Sequence, residues 1–344
     1  MRFFLTPLFG LSLLCAQQNF EEEPTATMPI RERNWKQLES YASRAGQGVE
    51  GWRRTLVTSI GYPSPGMHAT PGKPRLEKSG EDDLATYYRC WIEVGPDLET
   101  YGLYLVPKNL RKPAPLVISK HGGGGFPEMA IYKGGGNYHD MIRGAAKEGY
   151  IVYAPLTVMY PYRDRDKGSP IPVEVRAGLD AKLRAAGTSL MGLEVTKIVK
   201  ALDSLLKHQK EIDAKRIGMI GLSYGGYYTL YAAAVDPRIK VAVASCSFRS
   251  ELPPASASGK IEGRPLDLAT PEIAALIAPR PLQVQAGISD QGLPIADVRI
   301  GAERARGHYA KVNAAAQFEF KEFEGGHEFR GNLAWDFLRR HLSK

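Results

Sequence analysis

Cysteine is scarce in this 344-residue chain, which has only Cys15, Cys90 and Cys246. Three cysteines with no Cys-x-x-Cys pair exclude a disulfide scaffold and a zinc finger or ribbon. The seven histidines form no His-Glu-x-x-His motif and no cluster, so no metal constellation is readable. The glycine run Gly122-Gly123-Gly124-Gly125 lacks the Gly-Lys-Ser/Thr ending of a phosphate-binding loop. Lysine and arginine outnumber the acids by 45 to 37, a formal charge of +8, yet they are scattered. With no basic stripe and no interleaved aromatic platform, nucleic-acid binding is excluded. No apolar run reaches the roughly 18 residues of a membrane-spanning helix, so no stable membrane anchor is expected.

What is present is the composition of a packed protein, 43% hydrophobic and 24% charged. Arg2 precedes an apolar run from Phe3 to Leu14, and Leu14-Cys15-Ala16 offers a small residue before a cut. This predicts a secretory signal peptide over residues 1–16 and a periplasmic or secreted protein. Leu14 stands where acylation of Cys15 would need a small residue. Its removal leaves Cys90 and Cys246, both in or at the end of strand-like runs and read as buried free thiols, although an oxidising compartment would allow them to pair. Residues 17–84 read as an N-terminal linker followed by two helices over 34–57, broken near Gly46-Gln47-Gly48 and packing on the main body. The stretch from Tyr62 to Asp83 is rich in proline, glycine and charge and reads as a surface connection.

From residue 85 to the end the pattern is that of one large domain. Strands are predicted over 85–94, 99–106, 115–120, 150–154, 216–220, 241–245, 281–286 and 318–323. Helices are predicted over 141–148, 190–206, from 226, 298–312 and 333–342. Strands alternating with helices imply an α/β fold, a mostly parallel central sheet with helices on both faces. In such sheets the site lies beyond the carboxyl ends of the strands.

The chemistry-bearing residues sit at those ends. Gly221-Leu222-Ser223-Tyr224-Gly225 joins a strand to a helix, and a Gly-x-Ser-x-Gly turn there lifts the serine hydroxyl clear of the sheet edge. Acyl transfer by Ser223 needs a base, an acid that orients the base, and donors for the oxyanion. His327, in Glu324-Gly325-Gly326-His327, follows the last strand and is the candidate base. Asp290, just past the strand over 281–286, is the candidate acid, with Asp297 its rival in the same loop. The glycine loop after His121 frees backbone N–H groups to face a ligand. The oxyanion donors are assigned to Tyr224, then to Gly123 first and Gly124 second.

These residues make the chain resemble the α/β-hydrolase family over about residues 85–342. Within it, the chain resembles bacterial secreted esterases of the acetyl-xylan-esterase and dienelactone-hydrolase-like branch. Gly187-Thr-Ser-Leu-Met-Gly192, Arg216-Ile-Gly218 running into the turn, Pro279-Arg-Pro-Leu282 before Gly287-x-x-Asp290, and Gly325-Gly-His-Glu-Phe329 carry that likeness. It implies a Ser223–His327–Asp290 triad, no cofactor and no metal. The implied activity is cleavage of carboxylic esters through an acyl-enzyme, on short-acyl (acetyl) small-molecule or carbohydrate substrates. Position 223 is serine where dienelactone hydrolases carry cysteine, and 224 is tyrosine where glucuronoyl esterases carry arginine. Tyr224-Gly225-Gly226 is similar to prolyl-oligopeptidase-type peptidases, so a peptidase without a propeller is the alternative. The connections over 157–186, with Tyr160, Tyr162, Arg163 and Arg165, and 248–280, with Arg249, Pro253 and Pro254, should border the site.

Overall fold

Short runs of buried apolar residues set the frame of the domain. In the computed structural model, residues 32–38, 48–110, 113–123, 125–131, 136–157, 173–251 and 268–342 are described. The predicted signal peptide, Gly124, the Tyr160–Arg165 group, Pro253 and Pro254 lie outside them. The chain divides into two units, Met1–Gly48 and Val49–Lys344. In the first, helix α1 (residues 32–38) carries a Glu32–Lys36 pair one turn apart and exposes Trp35 and Leu38.

In the second unit, β1 (Arg75–Glu81), β2 (Ala85–Gly95), β3 (Leu98–Pro107), β4 (Ala114–Lys120), β5 (Ile151–Pro155), β6 (Ile212–Leu222), β7 (Ile239–Ser245), β8 (Leu282–Gly287) and β9 (Phe318–Phe323) form one sheet. Its order is β1-β2-β3-β5-β4-β6-β7-β8-β9. The pairs from β5 to β9 are parallel, and β1, β2 and β3 add antiparallel pairs at one edge. Every residue of β5 and β8 is buried, as expected of parallel strands covered on both faces. β1 escapes the sequence pattern because Arg-Leu-Glu-Lys-Ser-Gly-Glu is a polar edge strand with no buried residue.

Helices α2 (Gly48–Ile60), α3 (Met141–Lys147), α4 (Val173–Ala185), α5 (Leu190–His208), α6 (Tyr224–Val235), α7 (Thr270–Ile277), α8 (Ile295–Lys311) and α9 (Gly331–Leu342) accompany the sheet. α3 and α9 pack on each other and against β4, β6 and β7, while α5, α6, α7 and α8 pack in succession. Ser189 caps α5 by accepting the Gly192 N–H and donates its own hydroxyl to Ile60 at the end of α2, 2.7 Å away. Among the described residues no helix is long and apolar enough to cross a membrane. Cys90 and Cys246 are free and buried. Burial pushes the Cys90 thiol up to about 12.

Candidate active site

The turn after β6 is built on absent side chains. A Cβ on Gly221 would lie 2.2 Å from the Gly225 oxygen, and one on Gly225 would lie 2.1 Å from the Lys120 oxygen. Both obstacles are backbone, so both positions require glycine. One step on, a Cβ on Gly226 would lie 2.2 Å from Ser247 Oγ and 2.7 Å from its Cβ, a side-chain obstacle. Ser223 itself takes φ 60°, ψ −120°, a conformation that costs a serine about 1–3 kcal/mol. Its N–H donates to the Ser245 oxygen at 2.8 Å, which moors the strained residue to β7. Tyr224 is the first residue of α6, and N–H groups of a helix's first turn point out of its end.

The candidate base and acid follow β9 and β8, which lie beyond β7 in the sheet. Gly287 ends β8, where a Cβ would strike the Gly326 oxygen at 2.1 Å, so the loop after β9 can cross close over it. That crossing brings His327 Nδ1 within 2.7 Å of Asp290 Oδ2. A carboxylate only accepts, so Nδ1 carries the proton and Nε2 presents a lone pair. The His327 side chain is 37% exposed and Asp290 only 2%, so a substrate can reach the imidazole while the carboxylate stays behind it. Burial pushes the Asp290 carboxyl up. The hydrogen bond and charge of His327 and the Gly292 N–H outweigh that and hold it below its ordinary value. Asp297 is not brought there; its carboxylate accepts from the N–H and hydroxyl of Ser250. No hydrogen bond joins Ser223 Oγ to His327 in this structure.

The glycine loop after β4 is fixed from beneath. His121 is 1% exposed, and its Nε2 accepts the Thr157 N–H at 3.0 Å. Its proton therefore sits on Nδ1, which donates to the Gly122 oxygen at 2.8 Å. Burial, then the nearby Lys120 charge, push the imidazole down to about 3, so it stays neutral. The Gly122 carbonyl and the Gly123 N–H share one planar trans peptide unit. Holding that oxygen inward therefore turns the Gly123 N–H the opposite way. The preceding Gly122 N–H donates to the Tyr138 hydroxyl at 3.0 Å.

Potential metal ligands also meet here. Among the described residues, donor atoms of Cys246, Asp290 and His327 lie within 4.8 Å of one another. Asp290 and His327 already satisfy each other, and burial followed by the Asp290 charge pushes the Cys246 thiol up to about 11. A neutral buried thiol is a poor metal ligand, so the trio suits an acid–base pair better than a cation.

Several residues that support the site carry no sequence signal. Gln285, buried in β8, donates to the Arg330 oxygen and accepts the Arg330 N–H, holding the loop that follows His327. Ser245 Oγ donates to the Glu328 oxygen at 3.0 Å. Asn137 and Tyr138, in a glycine-rich stretch, touch both sides of the site across long sequence separations.

The sheet order, the elbow after β6 and the crossing loops after β8 and β9 make the chain an α/β-hydrolase in fold. A family model described as the prolyl oligopeptidase family matches residues 178–251, the stretch that contains the elbow. A candidate hydrolase of Bacillus subtilis (strain 168), YtaP, is 25% identical over 269 residues, covering 74% of this chain and 85% of that one. Among solved structures, a candidate acetyl xylan esterase from Bacteroides fragilis NCTC 9343 superposes with a TM-score of 0.62 at 18% identity, covering 84% and 81% of the two chains. A glucuronoyl esterase from Solibacter usitatus gives a TM-score of 0.59 at 17% identity, covering 84% and 93%.

Proposed function

We propose that the chain is a serine carboxylic-ester hydrolase with Ser223 as nucleophile, His327 as base and Asp290 as orienting acid. The observations that carry this reading are the 2.7 Å hydrogen bond between Asp290 and His327 and the strained backbone of the Ser223 elbow. His327 Nε2 takes the hydroxyl proton as Ser223 Oγ attacks the ester carbonyl. The N–H groups of Tyr224 and Gly123, with Gly124 second, hold the developing oxyanion. The alcohol leaves with the proton from His327. Water then repeats the attack on the acyl-enzyme, releasing the acid and restoring the serine.

The substrate proposed is a short-acyl, acetyl-type ester on a carbohydrate, supported by fold likeness to an acetyl xylan esterase and a glucuronoyl esterase. The apolar N-terminus supports export to the periplasm or beyond with residues 1–16 removed. Turnover of p-nitrophenyl acetate over the octanoate, and of acetylated xylan, tests this. Silence on every acetyl ester, with Ser223 intact, would sink it.

A second reading, a peptidase, is favoured by the prolyl oligopeptidase match across the elbow. Cleavage of aminoacyl or prolyl p-nitroanilides at rates rivalling the esters would put it first.

A further inference from the structure

We propose that the turn Asn137-Tyr138-His139 is a positioning brace that ties the oxyanion loop to the loop carrying His327, so that both halves of the site keep one spacing. Its three residues reach alternately to the two sides. Tyr138 is 5% exposed, and its hydroxyl accepts the Gly122 N–H at 3.0 Å. A Cβ on Gly125 would lie 2.1 Å from that hydroxyl and one on Gly122 would lie 3.2 Å away, so the bare glycines are what admit the ring. The opposite side begins with Asn137, whose Nδ2 donates to the His327 oxygen at 2.8 Å. Its backbone oxygen accepts the Phe329 N–H at 2.9 Å. His139 Nε2 lies 2.5 Å from Glu328 Oε2, and Arg330 donates to the other oxygen of that carboxylate at 2.7 Å.

Two further features fit a brace rather than an incidental contact. His139 and Asp140 both adopt left-handed backbone, φ 49° and 53°, uncommon for residues with a Cβ although His and Asp adopt it more readily than most. Asn137 and His139 are exposed, so their hydrogen bonds do little for the core and their truncation should leave the fold intact. The Gly122 peptide held by Tyr138 directly precedes the unit that aims the Gly123 N–H. The Asn137 contacts flank His327 on its own loop. Acyl transfer needs these two partners in register, and a displacement near 1 Å costs about 100-fold in rate.

The inference rests on the hydrolase reading, and the test separates the two. Asn137→Ala, Tyr138→Phe and the double variant are compared with wild type for kcat and KM on p-nitrophenyl acetate, for Tm, and for the rate of Ser223 labelling by a fluorophosphonate. Each single variant should lose about 10-fold or more in kcat with KM within about twofold. Asn137→Ala should keep the wild-type Tm. The double variant should fall little further than the worse single, because either cut releases the same link. If Tyr138→Phe fails to fold, Asn137→Ala decides alone. Wild-type kcat in Asn137→Ala, labelling at the wild-type rate, or single losses that simply multiply would overturn the brace while leaving the hydrolase standing. A wild-type protein whose Ser223 neither labels nor turns over ester would overturn both.

Discussion

Lys120 offers a quantitative check on the packing beneath the site. It ends β4 with 0% exposure, donates from Nζ to the Pro155 oxygen at 3.0 Å, and lies 5.5 Å from the Tyr228 ring centroid. Among the described residues no carboxylate bonds it. Desolvation, opposed by the Glu194 charge and aided by that of Lys197, pushes it from 10.5 down to about 7. The folded chain therefore releases this proton near pH 7, while the unfolded chain keeps it to near 10.4. Between those values unfolding takes up a proton, so this group makes the fold more stable as pH rises. At about 1.4 kcal/mol per unit, the gain between pH 6 and pH 9 is on the order of 3 kcal/mol. Urea unfolding of wild type and Lys120→Met at both pH values isolates it, since other titrations cancel in the difference. The stability of Lys120→Met relative to wild type should shrink by about that amount from pH 6 to pH 9. A difference that stays constant across the range would refute the account of a buried, weakly paired ammonium.

Other consequences are sharper at the site itself. Asp290→Asn should lower kcat by about 10³–10⁴-fold, whereas Asp297→Asn, which loses only the contact with Ser250, should stay within about threefold; equal losses would reopen the choice of acid. Gly225→Ala forces a Cβ against the Lys120 backbone at 2.1 Å, so kcat/KM should fall by about 100-fold or more with a lower Tm; a variant of wild-type activity would contradict the tight elbow. Because the thiols are buried and held up to about 12 and about 11, native Cys90 and Cys246 should resist iodoacetamide at pH 8 and react only in denaturant. Intact mass reads this directly, and rapid native alkylation would show that the packing is looser than described.

Much of the frame was legible because parallel strands buried on both faces must be runs of apolar residues. Leu-Val-Ile in β4 and Ile-Val-Tyr-Ala in β5 are of that kind. The placement of Ser223, Asp290 and His327 just past strand ends was legible because each follows a tight turn, and glycine at 221, 225, 287 and 326 marks those turns. β1 was not, since an exposed edge strand needs no apolar period. α4 and α7 were hidden inside long connections; the short α7 opens on Thr-Pro, which reads equally as loop. Asn137, Tyr138 and Gln285 act through space on loops distant in sequence. Their residue types carry no information until the sheet order sets β4 on one side of β6 and β8 and β9 on the other.

The central claim is a Ser223 nucleophile driven by His327. Its most direct test is reaction of the folded full chain with a fluorophosphonate, followed by peptide mass mapping, beside p-nitrophenyl acetate turnover. A single adduct on Ser223, with turnover lower by about 10⁴–10⁶ in Ser223→Ala and no adduct there, is the predicted result. An adduct elsewhere, or undiminished turnover in Ser223→Ala, would contradict it.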